Sequence, residues 1–327
     1  MTVISIVVFI YNPDEWIIKK VLKALTELKI PQNGEVEYLL VDNNSQNNWK
    51  LILEREFTDF PFQLLVEKRQ GLTFARQSGF EKSKGDLIVC VDDDNELSSD
   101  YLLSFLALRE QYPEVGVWGP GIIKVEFHKD VPSKFNNFKA YYQEKAFDKV
   151  QFGTERIWMP YYPPGTGMCL TKEVANAYLG FVEKGRMTAT DRKGRSLSSG
   201  GDSQVVYSAI LLGKSAGTSP SLKLNHLTSK NKSNLNYLKR LQFGIYSCTP
   251  VHVEVFPELK EKIKKPKIYE FLDLVLRTFI KSRFGKNKSK FQLPLAKKLG
   301  IIQGYYDTYQ LSVPWVYRFF INKLGLK

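Results

Sequence analysis

Three consecutive carboxylates close one of the most apolar stretches of this chain. Leu87-Ile88-Val89-Cys90-Val91 runs directly into Asp92-Asp93-Asp94-Asn95. Like charges this close raise one another's pKa unless a cation is bound among them. A hard divalent ion held by one or two carboxylates, with substrate phosphates completing its shell, is the chemistry that suits such a cluster. The same residues also suit an acidic turn before a helix starting at Ser98. Asp42 ends a second apolar run and begins Asp42-Asn43-Asn44-Ser45, where it could meet a ligand or cap the next helix. Asp202 follows Ser198-Ser199-Gly200-Gly201 at the expected start of another helix, and Asp191 in the preceding polar stretch is a weaker acid of the same kind. His226 follows an apolar, strand-like run; taken alone, a buried core histidine is its simpler reading. His128 and His252 stand in no supporting pattern.

The elements around these residues follow from periodicity. Val3–Ile10 is an almost unbroken apolar run, as in a strand buried on both faces. A helix is expected from Asp14, with Ile17, Val21, Leu25 and Leu28 on one face. The turn Pro31-Gln32-Asn33-Gly34, a strand at Glu37–Val41, a helix from Asn47 to Phe57 and a strand at Phe62–Val66 come next. A helix at Gly71–Lys84, a strand at Asp86–Val91 and a helix at Ser98–Gln111 complete the first part. Strands alternating with helices imply βαβ units and a mostly parallel sheet. Ligands of such sheets bind beyond the carboxyl ends of the strands, where Asp42 and Asp92–Asp94 stand. From Val115 to Leu224 the pattern is less regular. Gly119-Pro120-Gly121, the stretch Pro163–Gly167 and Ser198–Asp202 read as loops able to cover a ligand, with Thr190–Gly201 expected to be mobile. Helices are expected at Val205–Leu212, opening at Asp202, and at Asn231–Ser247.

Several motifs, in order, resemble the family 2 glycosyltransferases. They are SIVVFIYN at the first strand, LLVDNNS at 39–45, GLTFARQSGFEKSKGDLIVCVDDDN at 71–95, PPGTGMCL at 163–170, SGGDSQV at 199–205 and LNHLTSKNKSNLNYLKRL at 224–241. The resemblance covers about residues 2–245. It implies the GT-A fold, a Rossmann-like, mostly parallel sheet flanked by helices. It also implies a metal-dependent, inverting transfer of a sugar from a nucleotide-sugar, most often a UDP-sugar, to a hydroxyl of a glycan or lipid-linked saccharide in cell-surface polysaccharide biosynthesis. By the same resemblance, Ile10, Tyr11 and Asn12 line the base and ribose pocket and Asp42 reads the base edge. Arg76 faces the diphosphate, Asp92 contacts the ribose and Asp93 belongs to the donor side. Asp94, with His226, holds Mn²⁺ or Mg²⁺. Gly165, Thr166, Gly167 and Met168 form the acceptor-side loop, and Asp202 is the general base. The chain departs from the family in carrying Gln77 for Asn and Gly201 for the Glu before Asp202. Nucleotidyltransferases of similar fold open with a Gly-rich, basic loop after the first strand; Tyr11-Asn12-Pro13 stands there instead.

The chain has 327 residues, 43% of them hydrophobic and 25% charged, which excludes disorder and fibrous repeats. The longest run without Asp, Glu, Lys or Arg is Ile157–Thr171, 15 residues, too short to span a bilayer. The N-terminal run is read as a strand and not a signal peptide. Three scattered cysteines offer no disulfide framework and no Cys-based zinc site, as in a reduced, cytosolic protein. The expected organisation is a GT-A domain over residues 1–257, with a nucleotide-binding half to about 112 and an acceptor half from 113, then a basic amphipathic helical extension over 258–327. That extension has 16 Lys/Arg and 5 Asp/Glu, and so carries +11 of the net +13. Its charge suits an anionic membrane surface, with the protein peripheral at the inner face of the cell membrane, better than nucleic acid, for which no module is recognisable.

Overall fold

The computed structural model describes residues 2–32, 34–189, 191 and 197–327. Asn33 of the first expected turn, and residues 190 and 192–196 of the expected mobile loop, lie outside the described residues. The chain packs as two compact units, Met1–Arg186 with Gly201–Lys230, and Met187–Gly200 with Asn231–Lys327. The boundary expected after residue 257 falls inside the second unit.

The first unit opens with β1 (Thr2–Ile10), α1 (Glu15–Thr26), β2 (Gly34–Asp42), α2 (Lys50–Glu56), β3 (Phe62–Val66), α3 (Leu72–Lys82), β4 (Leu87–Asp92), β5 (Asn95–Leu97) and α4 (Tyr101–Gln111). It continues through β6 (Val115–Phe127), β7 (Lys145–Ala146), β8 (Gln151–Gly153), β9 (Cys169–Thr171), α5 (Lys172–Glu183), α6 (Gly201–Leu211) and β10 (Ser215–Thr228). Strands β1 to β4 lie in the parallel order β3-β2-β1-β4, and the sheet continues through β9, β6, β10 and β5. β9 runs antiparallel between β4 and β6, which makes β6 and its parallel neighbour β10 run in the same sense as β4. The apolar runs dictate this arrangement. Ile4, Ile6, Val8 and Ile10 of β1 join Val21, Leu22 and Leu25 of α1 in one core, continued by Val89 and Val91 of β4 and Tyr101 and Phe105 of α4. Asp14 caps α1, its carboxylate accepting the Trp16 and Ile17 amides at 3.1 and 3.4 Å. On the other face, α3 lies so close to β1 that a Cβ at Gly79 would stand 2.5 Å from Val7 Cγ1.

The long strands β6 and β10 correct one expectation. Gly119-Pro120-Gly121 is not a loop but lies within β6. The β6–β10 ladder absorbs it as an irregularity: the register shifts between Ser219 and Lys223, and at Gly121 the Ser219–Pro220 backbone fills the space of a side chain. Tertiary pairing here overrides turn chemistry. Pro163–Gly167 is a loop, as its sequence indicates.

The second unit is helical, with α7 (Leu235–Tyr246), α8 (Thr249–Val255), α9 (Ile268–Lys281), α10 (Lys288–Thr308) and α11 (Trp315–Lys323). Its core gathers Phe271, Leu295, Leu299, Ile302, Tyr317 and Ile321, with Phe243 of α7. Among the described residues no helix is long and apolar enough to cross a membrane.

Candidate active site

The site is built at the carboxyl ends of β1, β2 and β4. Two residues beyond the ends of β1 and β2 stand asparagines with positive φ, Asn12 at 45° and Asn44 at 61°, a conformation this side chain tolerates. The two exits are tied together: the Asn12 amide donates to Ser45 Oγ at 2.9 Å, and the Gln46 amide to Asn12 Oδ1 at 2.7 Å. Ile10 is buried and Tyr11 is exposed, with its amide donating to Asp93 Oδ2 at 2.9 Å. Asp42 is buried, its carboxylate accepting the Ser45 amide at 3.0 Å and meeting Lys50 Nζ at 2.7 Å. Burial alone would push its pKa up, but the Lys50 ammonium and the Ser45 hydrogen bonds outweigh that and hold the carboxyl below its ordinary value.

The acid triplet divides into different environments. Asp92 and Asp93 are part-exposed, whereas Asp94 is buried. Asn95 braces the turn: its Nδ2 donates to Asp94 Oδ1 at 3.0 Å and its Oδ1 accepts the Asp92 amide at 3.2 Å. Short β5 then pairs antiparallel with β10, setting Asn95 opposite His226, and the Leu227 amide donates to the Asp94 carbonyl at 2.8 Å. The result is His226 Nε2 3.6 Å from Asp94 Oδ2. His226 Nδ1 lies 2.8 Å from the Tyr142 carbonyl, an acceptor that holds a proton on Nδ1 and turns Nε2 toward the carboxylate.

The 3.6 Å separation lies just beyond the spacing of two ligands on one divalent cation, so a small approach of the two side chains would let them share one. Two ligand atoms of one such ion stand about 3.0–3.5 Å apart when each is about 2.1 Å from it, and a carboxylate with an imidazole suits Mn²⁺ or Mg²⁺. Among the described residues no three His, Cys, Asp or Glu side chains gather into a metal cage.

A second group converges through the loop between β8 and β9. The Cys90 amide donates to the Met168 carbonyl at 2.7 Å, which lays Gly165–Met168 beside the end of β4. Tyr101 Oη donates to the Gly167 carbonyl at 2.5 Å, and Thr166 and Met168 are buried. At the start of α6, Asp202 Oδ2 accepts the Gly165 amide at 3.2 Å and Oδ1 accepts the Ser203 amide at 2.9 Å. Arg76, buried on α3, reaches the same place: a Cβ at Gly165 would stand 2.5 Å from Arg76 Nη2 and 3.5 Å from Asp202 Cβ. Arg76, Gly165 and Asp202 thus come together from residues 76, 165 and 202. Asp191 lies in the second unit, buried, accepting the Gly200 amide at 2.7 Å.

Some supporting residues had no sequence signal that singled them out. Asn43 is buried and pins the approach to α3, donating to the Arg69 carbonyl at 2.7 Å and accepting the Gly71 amide at 2.8 Å. Tyr142 enters through its carbonyl. Asn95, the letter after the acids, was visible in the sequence but not its bracing role.

The sequence of residues 5–170, just over half of the chain, matches the model of the family described as Glycosyl transferase family 2. The chain belongs to glycosyl transferase family 2. It has that family's GT-A architecture, a central sheet flanked by helices, together with a C-terminal helical region. Among curated proteins it is similar to "Succinoglycan biosynthesis protein ExoM" of Rhizobium meliloti, 24% identical over 101 residues, 30% of this chain and 33% of that one. It is also similar to "Glycosyltransferase AglE" of Haloferax volcanii, 34% identical over 93 residues, 28% of this chain and 30% of that one. The matches thus span about a third of the length of these relatives. Among solved structures, "S. aureus TarS 1-349 in complex with UDP-GlcNAc" aligns over 95% of this chain and 91% of that one, with 14% identity and a TM-score of 0.47. This member of family 2 therefore carries its Asp-Asp-Asp turn and its Gly-Thr-Gly-Met loop within the span that defines the family, while Asp202 and His226 follow it.

Proposed function

We propose that this protein is a glycosyltransferase that moves a sugar from a nucleotide-sugar to a hydroxyl of a glycan or lipid-linked saccharide. The observation that carries the reading is the pairing of Asp94 with His226 at the end of β4, inside a family 2 chain. In this reading Ile10, Tyr11 and Asn12 form the wall for the base and ribose, with Asp42 reading the base and Asp92 and Asp93 on the donor side. UDP is the nucleotide of choice in the family. Asp94 and His226 would hold Mn²⁺ or Mg²⁺, which neutralises charge on the departing diphosphate. Arg76 contributes a fixed positive charge toward the same group.

Asp202 takes the proton from the acceptor hydroxyl. Its carboxylate is oriented by the Gly165 and Ser203 amides, so it needs little rearrangement to act. Gly165–Met168 borders the acceptor side. A hydroxyl attacking from the face opposite the diphosphate gives inversion at the sugar carbon in a single displacement. The leaving diphosphate and the deprotonated hydroxyl are served by different residues, as that two-sided reaction requires. The relatives named for succinoglycan biosynthesis and glycosyl transfer favour a role in surface polysaccharide assembly. The net +11 of residues 258–327 favours work at an anionic membrane, peripheral at its inner face, where lipid-linked acceptors reside. The test is calorimetric titration of UDP-sugars with Mn²⁺ and with EDTA. Binding that needs the metal, and is lost in Asp94→Ala, supports the reading; equal affinity in both conditions removes the metal from it.

A further inference from the structure

The second unit carries an apolar surface that its own packing does not use. Helix α9 has two apolar faces. One, led by Phe271, enters the core, where its ring stands 5.3 Å from Tyr317 and 5.2 Å from Phe320. The other holds Ile268, Tyr269, Leu272, Leu276, Phe279 and Ile280, all exposed, with Leu276 at 58% and Ile280 at 56%. At about 100° per residue these six fall within an arc of roughly 120°. A helix on the surface of a water-soluble unit presents polar residues on that side. After α9 the chain turns through Arg283, Phe284 and Gly285, all with positive φ, and leaves Phe284 72% exposed beside Phe279. Helix α11 adds Trp315 at 71% and Phe319, one turn apart.

Charge decides what covers this surface. Lys264, Lys265 and Lys267 precede α9, and Lys281, Arg283 and Lys286 close it. The acids of α9 are already engaged, Asp273 with Arg277 at 2.7 Å and Glu270 with Lys267 at 3.8 Å. A second copy of the same surface would set these cations against one another. An anionic bilayer instead accepts the apolar stripe below its headgroups and the cations among them, with Trp and Tyr at the boundary. We infer that the exposed face of α9, extended by Phe284 and the Trp315–Phe319 edge of α11, is the membrane-docking surface of this protein, lying in the plane of an anionic leaflet. This rests on the proposed work at a membrane and names the surface that performs it.

The experiment is co-sedimentation of the full chain with vesicles of phosphatidylcholine alone and of phosphatidylcholine mixed with phosphatidylglycerol, an anionic lipid. Binding to the anionic vesicles, released in part by high salt, is expected. Leu272→Glu with Leu276→Glu should weaken it by about tenfold or more, because both charges would enter the apolar layer. Both side chains are exposed, so the melting temperature should hold; Leu103→Glu, at an exposed apolar position on α4, should leave binding unchanged. Sedimentation without vesicles separates the other occupant: a dimer that the double variant dissociates overturns the proposal in favour of a second copy. Absent vesicle binding, or binding that the double variant retains, overturns it outright. Donor binding in solution, measured on the same variants, reports on the catalytic reading independently.

Discussion

Asp94 and His226 are 132 residues apart in the chain and 3.6 Å apart in space, and Asp94 is held by Asn95 while His226 is held by the Tyr142 carbonyl. Each partner is therefore pre-oriented, and His226→Gln should weaken Mn²⁺-dependent donor binding by at least about 10–100-fold, the loss that even outer partners of a metal site cause. Calorimetry checks this, and unchanged affinity would remove His226 from the site. Asp202 acts on the other reactant. Asp202→Asn should keep donor affinity and lower turnover by about 10²–10⁴-fold. If Asp191→Asn lost turnover while Asp202→Asn kept it, the base would be the wrong carboxylate. Asp42 has a structural consequence as well. Its carboxyl is held below the ordinary value in the fold, so the unfolded chain binds the proton more tightly, and the Lys50 pair stabilises at neutral pH. Asp42→Asn should cost about 1–3 kcal/mol at pH 7. That difference should shrink as pH falls below about 4, where the unfolded chain takes up the proton first and the folded carboxyl follows at lower pH. Urea denaturation at a series of pH values reads it; a gap that widened in acid would reverse the sign of the argument.

Elements set these residues in place, and some were easier to read than others. β1 to β4 and their helices were legible because each strand is an apolar run closed by turn residues, and Phe62–Val66 is bounded as the sequence indicated. The acids at the ends of β2 and β4 then followed from the sheet itself. β5 could not be read: three residues gain strand form only by pairing with β10, more than 120 residues later, and that pairing is what brings His226 to Asp94. β6 was hidden by Gly119-Pro120-Gly121, whose turn chemistry yields to the ladder with β10. The tail's apolar residues showed no inward or outward sense in sequence; packing sends Phe271 and Tyr317 into the core and leaves Leu276 and Trp315 exposed. The Gly165–Met168 loop was legible as a turn but not as the strap it forms. Gly167 has φ of 65°, and a Cβ there would stand 2.6 Å from Leu224 Cδ2 and 2.8 Å from Tyr101 Oη. Gly167→Ala should therefore cost about 2–4 kcal/mol, combining backbone strain with crowding. Gly213→Ala, with φ of 74° but open space around it, should cost only about 1 kcal/mol. Equal losses in the two variants, by urea denaturation, would show that the loop has room to move.

At the scale of the whole molecule, the chain divides its chemistry between two units. The first holds every residue proposed to touch donor, metal or acceptor hydroxyl, including Asp202 and His226. The second is helical and holds the basic, partly exposed apolar surface. That division agrees with the charge, since +11 of the net +13 lies in residues 258–327. The central claim is transfer from a nucleotide-sugar, and it is tested most directly by nucleoside diphosphate release. The full chain would be incubated with a panel of UDP-, GDP- and dTDP-sugars and Mn²⁺, alongside Asp94→Ala and Asp202→Asn. Water serves as a slow acceptor, so release from at least one donor is expected, abolished in Asp94→Ala and slowed in Asp202→Asn. No binding and no release with any nucleotide-sugar, from a folded chain supplied with the metal, would contradict the claim.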